Sequence, residues 1–290
     1  VGETIVIEPG SMGSFISCLD LTLQNGKILA SDYKLVSVDA NQFAEDPKVA
    51  NDIKNIEAPY RKRLNRVVGS TNTSLLRYDV LEGTMDNLVA DSVREISHTD
   101  IGFTNGFRFS PPIAPGNITE ADLWNILPLD TRIKVGNVSG LQLRKYIENE
   151  LELVFAEDPN KLSGGWGPRP SGLKIVFRAK AQKGERVEAL YVNNKKIEDE
   201  GTYSISGCER EGEEFDIICR LKGVKNTKYI SASIHQALER YVSNHSPLTF
   251  KKERRAVATD LPSTIWSQYS MLQKMWNLPG QSEAMEYSKK

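Results

Sequence analysis

Cysteine and histidine are scarce in this sequence, which limits the metal sites that it could build. The three cysteines and three histidines are Cys18, Cys208, Cys219, His98, His235 and His245. No CxxC pair and no HxH or HExxH pattern occurs, so we predict no histidine-rich metal site and no cofactor within this chain. Cys208 and Cys219 could form one disulfide, and two buried free thiols are the alternative.

Excess charge of one sign and long apolar runs are missing too. The 37 basic and 38 acidic side chains give a formal charge of -1, whereas a nucleic-acid surface needs a clear basic excess. No apolar run approaches the roughly 20 residues that span a bilayer. We therefore predict no nucleic-acid partner and no membrane span. The sequence also lacks a P-loop, a dinucleotide fingerprint and a nucleophile elbow, so no single motif identifies a reaction.

The first 45 residues have the character of a small β unit. Residues 4–8 resemble a strand, and the alternating runs on either side of Asn25-Gly26 predict a hairpin, because Asn-Gly is a strong signal for a tight hairpin turn. Such a unit is too short to hold a core alone. The chain begins with Val1 inside this strand-rich region, which favours a processed product or a piece cut from a longer protein.

A connector and a tail flank the larger part of the chain. Asp46-Pro47 is typical of a helix start and Pro59 should break that helix, so we predict a connector helix over residues 46–66. Residues 263–290 form a tail with aromatic residues at helical spacing. This tail could dock on another surface or pack on its own domain.

Residues 67–262 mix helices and strands. Thr84 is a predicted helix cap, and Thr119–Asp122 resembles a capping box. The runs at 172–179 and 187–192 read as paired antiparallel strands. These features favour an α+β fold with mixed, largely antiparallel sheets layered with helices.

The loop around Asn105-Gly106 is the richest candidate for binding. Gly106 lets a ligand approach the backbone, and Arg108 could clamp a phosphate or carboxylate in two-point geometry. Asn105 could orient a hydroxyl group. The alternative is an ordinary turn that carries a surface arginine.

Two further loops carry unusual residues. The loop at 163–172, rich in glycine and proline, contains Trp166 and Arg169, whose side chains suggest packing or binding. Trp166 could instead plug the edge of the core. The acidic loop at 207–216 lacks the ligand spacing of a calcium loop, so a solvated loop is the default interpretation, and Phe215 is its odd apolar member.

Taken in order, several segments resemble the 5'-nucleotidase family over about residues 66–262. The matching segments are Gly83–Asp91 for the "GNLxxDA" helix start, Asn105–Arg108 for a shortened "NGGxR" loop, Ile118-Thr119 with Leu127-Pro128 for the "G-x-I-T … LPF" segment, Gly140–Leu151 for the next helix, and Ser171–Phe177 for the "SGL" strand. The start, through Glu8–Gly13 and Leu19–Leu21, resembles the last strands of that family's metallophosphoesterase domain.

The resemblance implies a function and a set of site residues. It implies the substrate-binding C-terminal domain of a hydrolase that cleaves phosphate esters such as 5'-nucleotides, in the periplasm or outside the cell. Divalent metals such as manganese or zinc would lie in an N-terminal metallophosphoesterase domain of the same protein, so this chain alone would be inactive. The predicted site residues are Arg77, Asn105 and Arg108 on the phosphate or ribose side, Phe215 and Asp216 for base and ribose, and Trp166 with Arg169 from the glycine-rich loop.

One departure from the family pattern concerns the base. The family's first stacking phenylalanine follows the Leu-Pro pair, and this chain has Leu129 there. Trp166 could take over the missing stacking face. Otherwise the substrate is not a nucleotide, as in the relatives that hydrolyse protein-bound thiosulfonate in sulfur oxidation. A non-catalytic binding module and a structural or dimerisation piece are the remaining alternatives.

Overall fold

The computed structural model describes residues 4–10, 12–77, 79–104, 110–163, 167–209, 212–251 and 253–261. The chain divides between Lys62 and Arg63 into two compact units. This boundary falls inside the predicted connector at 46–66. Within the described ranges, no helix is both long and apolar enough to cross a membrane.

The first unit contains the predicted hairpin. Strands β1 (Phe15–Gln24) and β2 (Lys27–Ser37) pair antiparallel. Asn25 and Gly26 both have positive φ, 50° and 75°, as a type I′ turn requires. The prediction of a strand at 4–8 is wrong, because these residues pair with no described strand and a single extended segment cannot complete a ladder.

Helix α1 (Pro47–Glu57) begins where the sequence predicted. The Asp46 carboxylate accepts the backbone N–H groups of Lys48 and Val49, and Pro47 occupies the first turn. The helix ends before Pro59, and the short α2 (Arg61–Leu64) follows. None of the described residues between 4 and 62 is buried. The first unit therefore has no core of its own.

The second unit contains the remaining helices and strands. The helices are α3 (Thr84–Ser97), α4 (Glu120–Ile126), α5 (Gly140–Phe155) and α6 (Ile234–His245). The strands are β3 (Val67–Thr71), β4 (Ile101–Thr104), β5 (Gly116–Thr119), β6 (Arg132–Ser139), β7 (Arg169–Ser171), β8 (Leu173–Phe177), β9 (Val187–Val192), β10 (Lys195–Lys196), β11 (Thr202–Cys208), β12 (Lys225–Ser233) and β13 (Ala256–Ala258).

A five-stranded sheet is the centre of this unit. Its strand order is β12-β6-β11-β4-β7, and only the β11–β4 pair is parallel. A four-stranded sheet, β10-β9-β8-β13, has one parallel pair, β8–β13, and the small β3–β5 sheet is antiparallel. The predicted α+β class with mixed, largely antiparallel sheets is confirmed, as is the antiparallel pairing of 172–179 with 187–192.

Each face of the five-stranded sheet has its own hydrophobic core. The first core includes Phe103, Ile147 and Phe177, and α5 and the four-stranded sheet cover it. The second core includes Ile133 and Leu238, and α3, α4 and α6 cover it. In the part of the chain that the structure describes, both faces are covered, so ligands can reach the sheet at its edges, where its loops emerge.

The predicted helix start at Thr84 is shifted by one residue. Gly83 is the cap residue, and Thr84 is the first residue of α3. The buried Thr84 hydroxyl accepts the backbone N–H of Leu76 and donates to the carbonyl of Ser74. A Cβ at Gly83 would lie 2.7 Å from the Leu76 oxygen, so only glycine fits this approach. The capping box of Thr119 and Asp122 is confirmed.

Cys208 and Cys219 are free thiols on opposite faces of the central sheet. Cys208 lies in the second core and Cys219 in the first. The Cys219 sulfur packs against the backbone of Gly207, where an added Cβ would come within 2.5 Å of it. Successive residues of a strand point to opposite faces, so the two thiols are directed apart and the disulfide alternative does not form.

We expect one fast-reacting thiol in the native protein. Burial raises the pKa of Cys208 to about 12 and the pKa of Cys219 well above its usual value, whereas Cys18 is exposed. Because the thiolate is the reactive form, a thiol reagent at about pH 8 should modify Cys18 within minutes, and all three cysteines only after unfolding. A fast-reacting thiol that persists in Cys18→Ser would contradict this.

A candidate ligand site at one edge of the central sheet

The topology of the central sheet brings four loops to one edge, by which we mean a line of strand ends and not an edge strand. The parallel strands β4 and β11 end there, and the antiparallel strands β6 and β7 begin there. In register, Thr104 lies opposite Arg169, and Cys208 lies opposite Ile133. The loops after β4 and β11 and before β6 and β7 therefore emerge on the same side of the sheet.

These loops are the ones singled out by the sequence. Asn105 and Arg108 follow β4 directly in the chain, and Trp166 precedes β7. These three residues lie outside the described residues, so their predicted roles stay predictions. Phe215 and Asp216 lie in the loop after β11, and Leu129 precedes β6.

A buried lysine on the central sheet holds the backbone of the loop that contains Phe215 and Asp216. Lys134 on β6 is 0% exposed, and its ammonium donates to the carbonyls of Glu214 and Ile217 at 3.2 and 3.1 Å. This anchor leaves the Phe215 side chain 53% exposed. The Asp216 side chain is also exposed. Both predicted site residues are thus accessible to a ligand.

A charged and aromatic cluster lies beside Phe215. The Arg132 guanidinium donates two hydrogen bonds to the Glu209 carboxylate, at 3.0 and 3.1 Å, and its Cζ lies 3.7 Å from the ring centroid of Tyr229. The Tyr229 hydroxyl donates to the same carboxylate. Burial raises the pKa of Glu209, but the hydrogen bonds from Arg132 and Tyr229 outweigh it and hold that pKa below its usual value. Glu209 therefore stays ionised and keeps both partners in place.

Leu129 is presented at the surface by a well-held segment. His235, at the start of α6, donates from Nε2 to the carbonyl of Leu127 at 2.6 Å, and its backbone N–H donates to the Asp130 carboxylate at 3.1 Å. Between these two contacts Leu129 is 71% exposed. An apolar side chain held out in this way could contact an apolar part of a ligand.

Arg77 and Arg169 are brought together, but inside the domain. Their Nε atoms lie 3.2 and 3.1 Å from the two carboxylate oxygens of Asp86, on the first turn of α3. Arg77 also donates to the carbonyl of Ile126 at 3.0 Å, and Arg169 donates to the carbonyl of Asp79. All three side chains are at most 3% exposed. The geometry gives these arginines a structural role, and their predicted contact with a substrate stays a prediction.

Burial and the attraction between opposite charges together set the pKa values in this cluster. Burial raises the pKa of Asp86 and lowers the pKa of Arg77, while attraction between the opposite charges acts against both shifts. The charged forms persist only together, because each lacks the water that would otherwise solvate it. The cluster joins the segment before α3, α3 itself and β7, and it underlies the edge at which the four loops emerge.

The sequence did not single out Arg132, Glu209, Tyr229 or Lys134. Arg132 and Glu209 are 77 residues apart and meet only through the register of β6 with β11. Tyr229 meets them through the pairing of β12 with β6. No local pattern marks these residues, although a lysine inside an otherwise buried strand is unusual enough to draw attention to Lys134.

A cavity of about 580 Å³ lies at the opposite edge of the sheet. In its wall Arg255 contacts Asp91 and Glu253 at 2.8 Å each, and Arg94 donates to the carbonyl of Asp100 at 3.0 Å. Among the residues that the structure describes, no group of three or more histidine, cysteine or acidic side chains could hold a metal ion. We take the edge that carries Phe215 as the candidate site, because the loops selected from the sequence emerge there.

Comparisons with known proteins find similarities to one family over part of the chain. Residues 65–207 match the family model described as 5'-nucleotidase, C-terminal domain. The endonuclease YhcR of Bacillus subtilis is 22% identical over 210 residues, which are 71% of this chain and 16% of that protein. Two solved structures of Thermus thermophilus proteins are similar. The sulfate thiohydrolase SoxB has a TM-score of 0.73 at 22% identity and covers 86% of this chain and 45% of its own. A 5'-nucleotidase precursor has a TM-score of 0.71 at 17% identity, and the match covers 86% of this chain and 51% of that protein. The chain thus spans about half or less of the length of these proteins.

Proposed function

Since residues 65–207 belong to the 5'-nucleotidase C-terminal domain family, we propose that this chain is the substrate-recognition part of a phosphoesterase that hydrolyses phosphate esters such as 5'-nucleotides. The observation that carries the proposal is the sheet edge at which the loops after β4 and β11 and before β6 and β7 emerge together. Three of these loops contain residues that the sequence selected for binding, and the loop before β6 contains Leu129.

In this proposal each loop binds a different part of the substrate. Arg108 binds the phosphate, because a guanidinium matches the geometry of a phosphate group in two-point contact. Asn105 and Asp216 bind ribose hydroxyls. Phe215, which is exposed and anchored through Lys134, stacks on the base. Trp166 supplies a second aromatic face in place of the phenylalanine that Leu129 replaces.

The metal centre of such an enzyme lies outside this chain in our proposal. The described residues contain no group of side chains that fits a divalent metal pair, so we assign no catalytic step to them. The first unit supports a partner domain, because its hairpin and α1 expose apolar side chains such as Phe15, Leu29 and Ile56 and large exposed apolar surface marks an interaction site. We propose an N-terminal metallophosphoesterase domain that binds manganese or zinc as this partner, and a periplasmic or extracellular location.

A second candidate substrate is a thiosulfonate ester without a base. Leu129, at the position of the family's first stacking phenylalanine, is 71% exposed and leaves the aromatic sandwich incomplete. The fold similarity to the sulfate thiohydrolase SoxB fits this alternative equally well. A non-catalytic binding module would use the same edge of the sheet.

We expect the purified chain to bind adenosine monophosphate without hydrolysing it. Calorimetry should show saturable binding, while phosphate release with manganese present should not exceed that of a heat-denatured control, because no activated metal-bound water is available to attack the ester. Turnover well above the control would contradict the assignment of the metal centre to another domain. Failure to bind adenosine monophosphate, with binding of a thiosulfonate peptide, would favour the second candidate.

A further inference from the structure

The ring of Phe215 is exposed and contacts the ring of Tyr229. Its centroid is 5.4 Å from the ring centroid of Tyr229, with an interplanar angle of 63°. This edge-on contact occupies one side of the phenylalanine and is a preferred geometry for two aromatic rings. The Lys134 ammonium lies 6.0 Å from the centroid of the same ring. Since Phe215 is still 53% exposed, part of the ring surface remains open to solvent.

Tyr229 itself is not available to a ligand in the same way. The guanidinium of Arg132 covers one face of its ring at 3.7 Å, and its hydroxyl is used by Glu209. Glu209 in turn holds Arg132 through two hydrogen bonds. The polar groups of these three side chains thus bind one another in a closed set of contacts. We call Tyr229, Arg132 and Glu209 the buttress.

Two residues of the buttress lie on adjacent strands of the sheet, and the third directly follows the strand beside them. Arg132 begins β6, Glu209 follows β11, and Tyr229 lies on β12 opposite Lys134. Side chains carried by the strands of a sheet hold their geometry better than side chains in loops. The loop with Phe215 therefore rests against a part of the molecule that is more rigid than itself.

We propose that Tyr229, held by Arg132 and Glu209, is a positioning residue that fixes the ring of Phe215 as a stacking surface and so makes the site selective for substrates that carry a planar aromatic group. This inference rests on the proposed function, in which Phe215 stacks on the base. A preset ring loses less conformational freedom on binding than a freely rotating one, and this lowers the cost of association. An ester without an aromatic group gains nothing from it.

The positioning can be measured without any ligand. 4-Fluorophenylalanine at position 215 reports the surroundings of the ring through its fluorine NMR shift and linewidth. In Tyr229→Leu, the signal should move towards the free amino-acid value and narrow. Tyr229→Phe keeps the ring contact and should leave the signal near its wild-type position. Tyr191→Leu removes a half-buried strand tyrosine of the other sheet and serves as the matched control. An unchanged signal in Tyr229→Leu would overturn the proposal that the buttress positions Phe215.

Selectivity is measured by titrating the same variants with adenosine monophosphate and ribose 5-phosphate. Tyr229→Leu should weaken binding of adenosine monophosphate by about fivefold, the lower end of a lost stacking contact, and leave ribose 5-phosphate unchanged. Tyr229→Phe should restore most of the difference. Equal weakening for both ligands would overturn the selective role. A wild-type chain that binds neither ligand overturns the proposed function and the selectivity with it, whereas the fluorine signal still decides whether the buttress positions Phe215.

Discussion

Replacing Asp86 by alanine should lower the free energy of unfolding by about 3–5 kcal/mol, the usual cost of removing one partner from a buried ion pair. Asp86 is 1% exposed and lies between the guanidinium groups of Arg77 and Arg169. Without the carboxylate, two positive charges would remain in the interior, near each other and without water. Urea denaturation followed by circular dichroism measures the loss.

A surface ion pair provides the matched control. Arg66 contacts Glu239 at 2.7 Å, but both side chains are more than 40% exposed. Glu239→Ala should therefore cost about 1 kcal/mol or less, since water solvates the remaining charge. Losses of similar size for Asp86→Ala and Glu239→Ala would show that the buried cluster does not hold the domain together as we infer.

The largest expected effect on binding is that of Arg108. Arg108→Ala should weaken binding of adenosine monophosphate by about tenfold to a hundredfold, because a charge-assisted hydrogen bond to an anion contributes about 1.5–3 kcal/mol. The same change should weaken ribose 5-phosphate equally, since both ligands carry the phosphate. Phe215→Ala should weaken only the ligand with a base, by about 1–3 kcal/mol. Calorimetric titration of both variants with both ligands measures this pattern.

Controls separate these effects from folding and from general charge. Arg144→Ala removes a surface guanidinium that pairs with Asp199 near the start of α5, at the opposite edge of the sheet, and should leave both affinities unchanged. Trp166→Ala tests the proposed second stacking face in the same way as Phe215→Ala. Wild-type affinities in Arg108→Ala and Phe215→Ala, with folding intact, would refute the assigned site.

The predictions that succeeded rest on contacts between residues close in the sequence. Asn25-Gly26 adopts positive φ wherever such a turn forms, and the Asp46 and Thr119 side chains reach backbone N–H groups two or three residues away. The strands within 172–179 and 187–192 were also predicted from local signals. The family resemblance also depended only on segments in series, and the match over residues 65–207 confirmed it.

The wrong predictions and the omissions involve partners far away in the sequence. Residues 4–8 have strand composition but pair with no described strand, and composition cannot supply a neighbour. Thr84 looked like a cap, but its hydroxyl bonds to the segment before the helix. Tyr229 could not be associated with Phe215 until the sheet placed β12 beside β6.

By itself, the sequence determined the α+β class, the hairpin, the starts of α1 and α4, the resemblance to the family and the loops that carry the candidate site. Only the tertiary structure decided that these loops emerge at one edge, because strand order and direction depend on pairing between distant segments. It also decided which arginines are accessible. Arg77 and Arg169 have the same side chain as any surface arginine, and the buried carboxylate of Asp86 is what draws them into the interior.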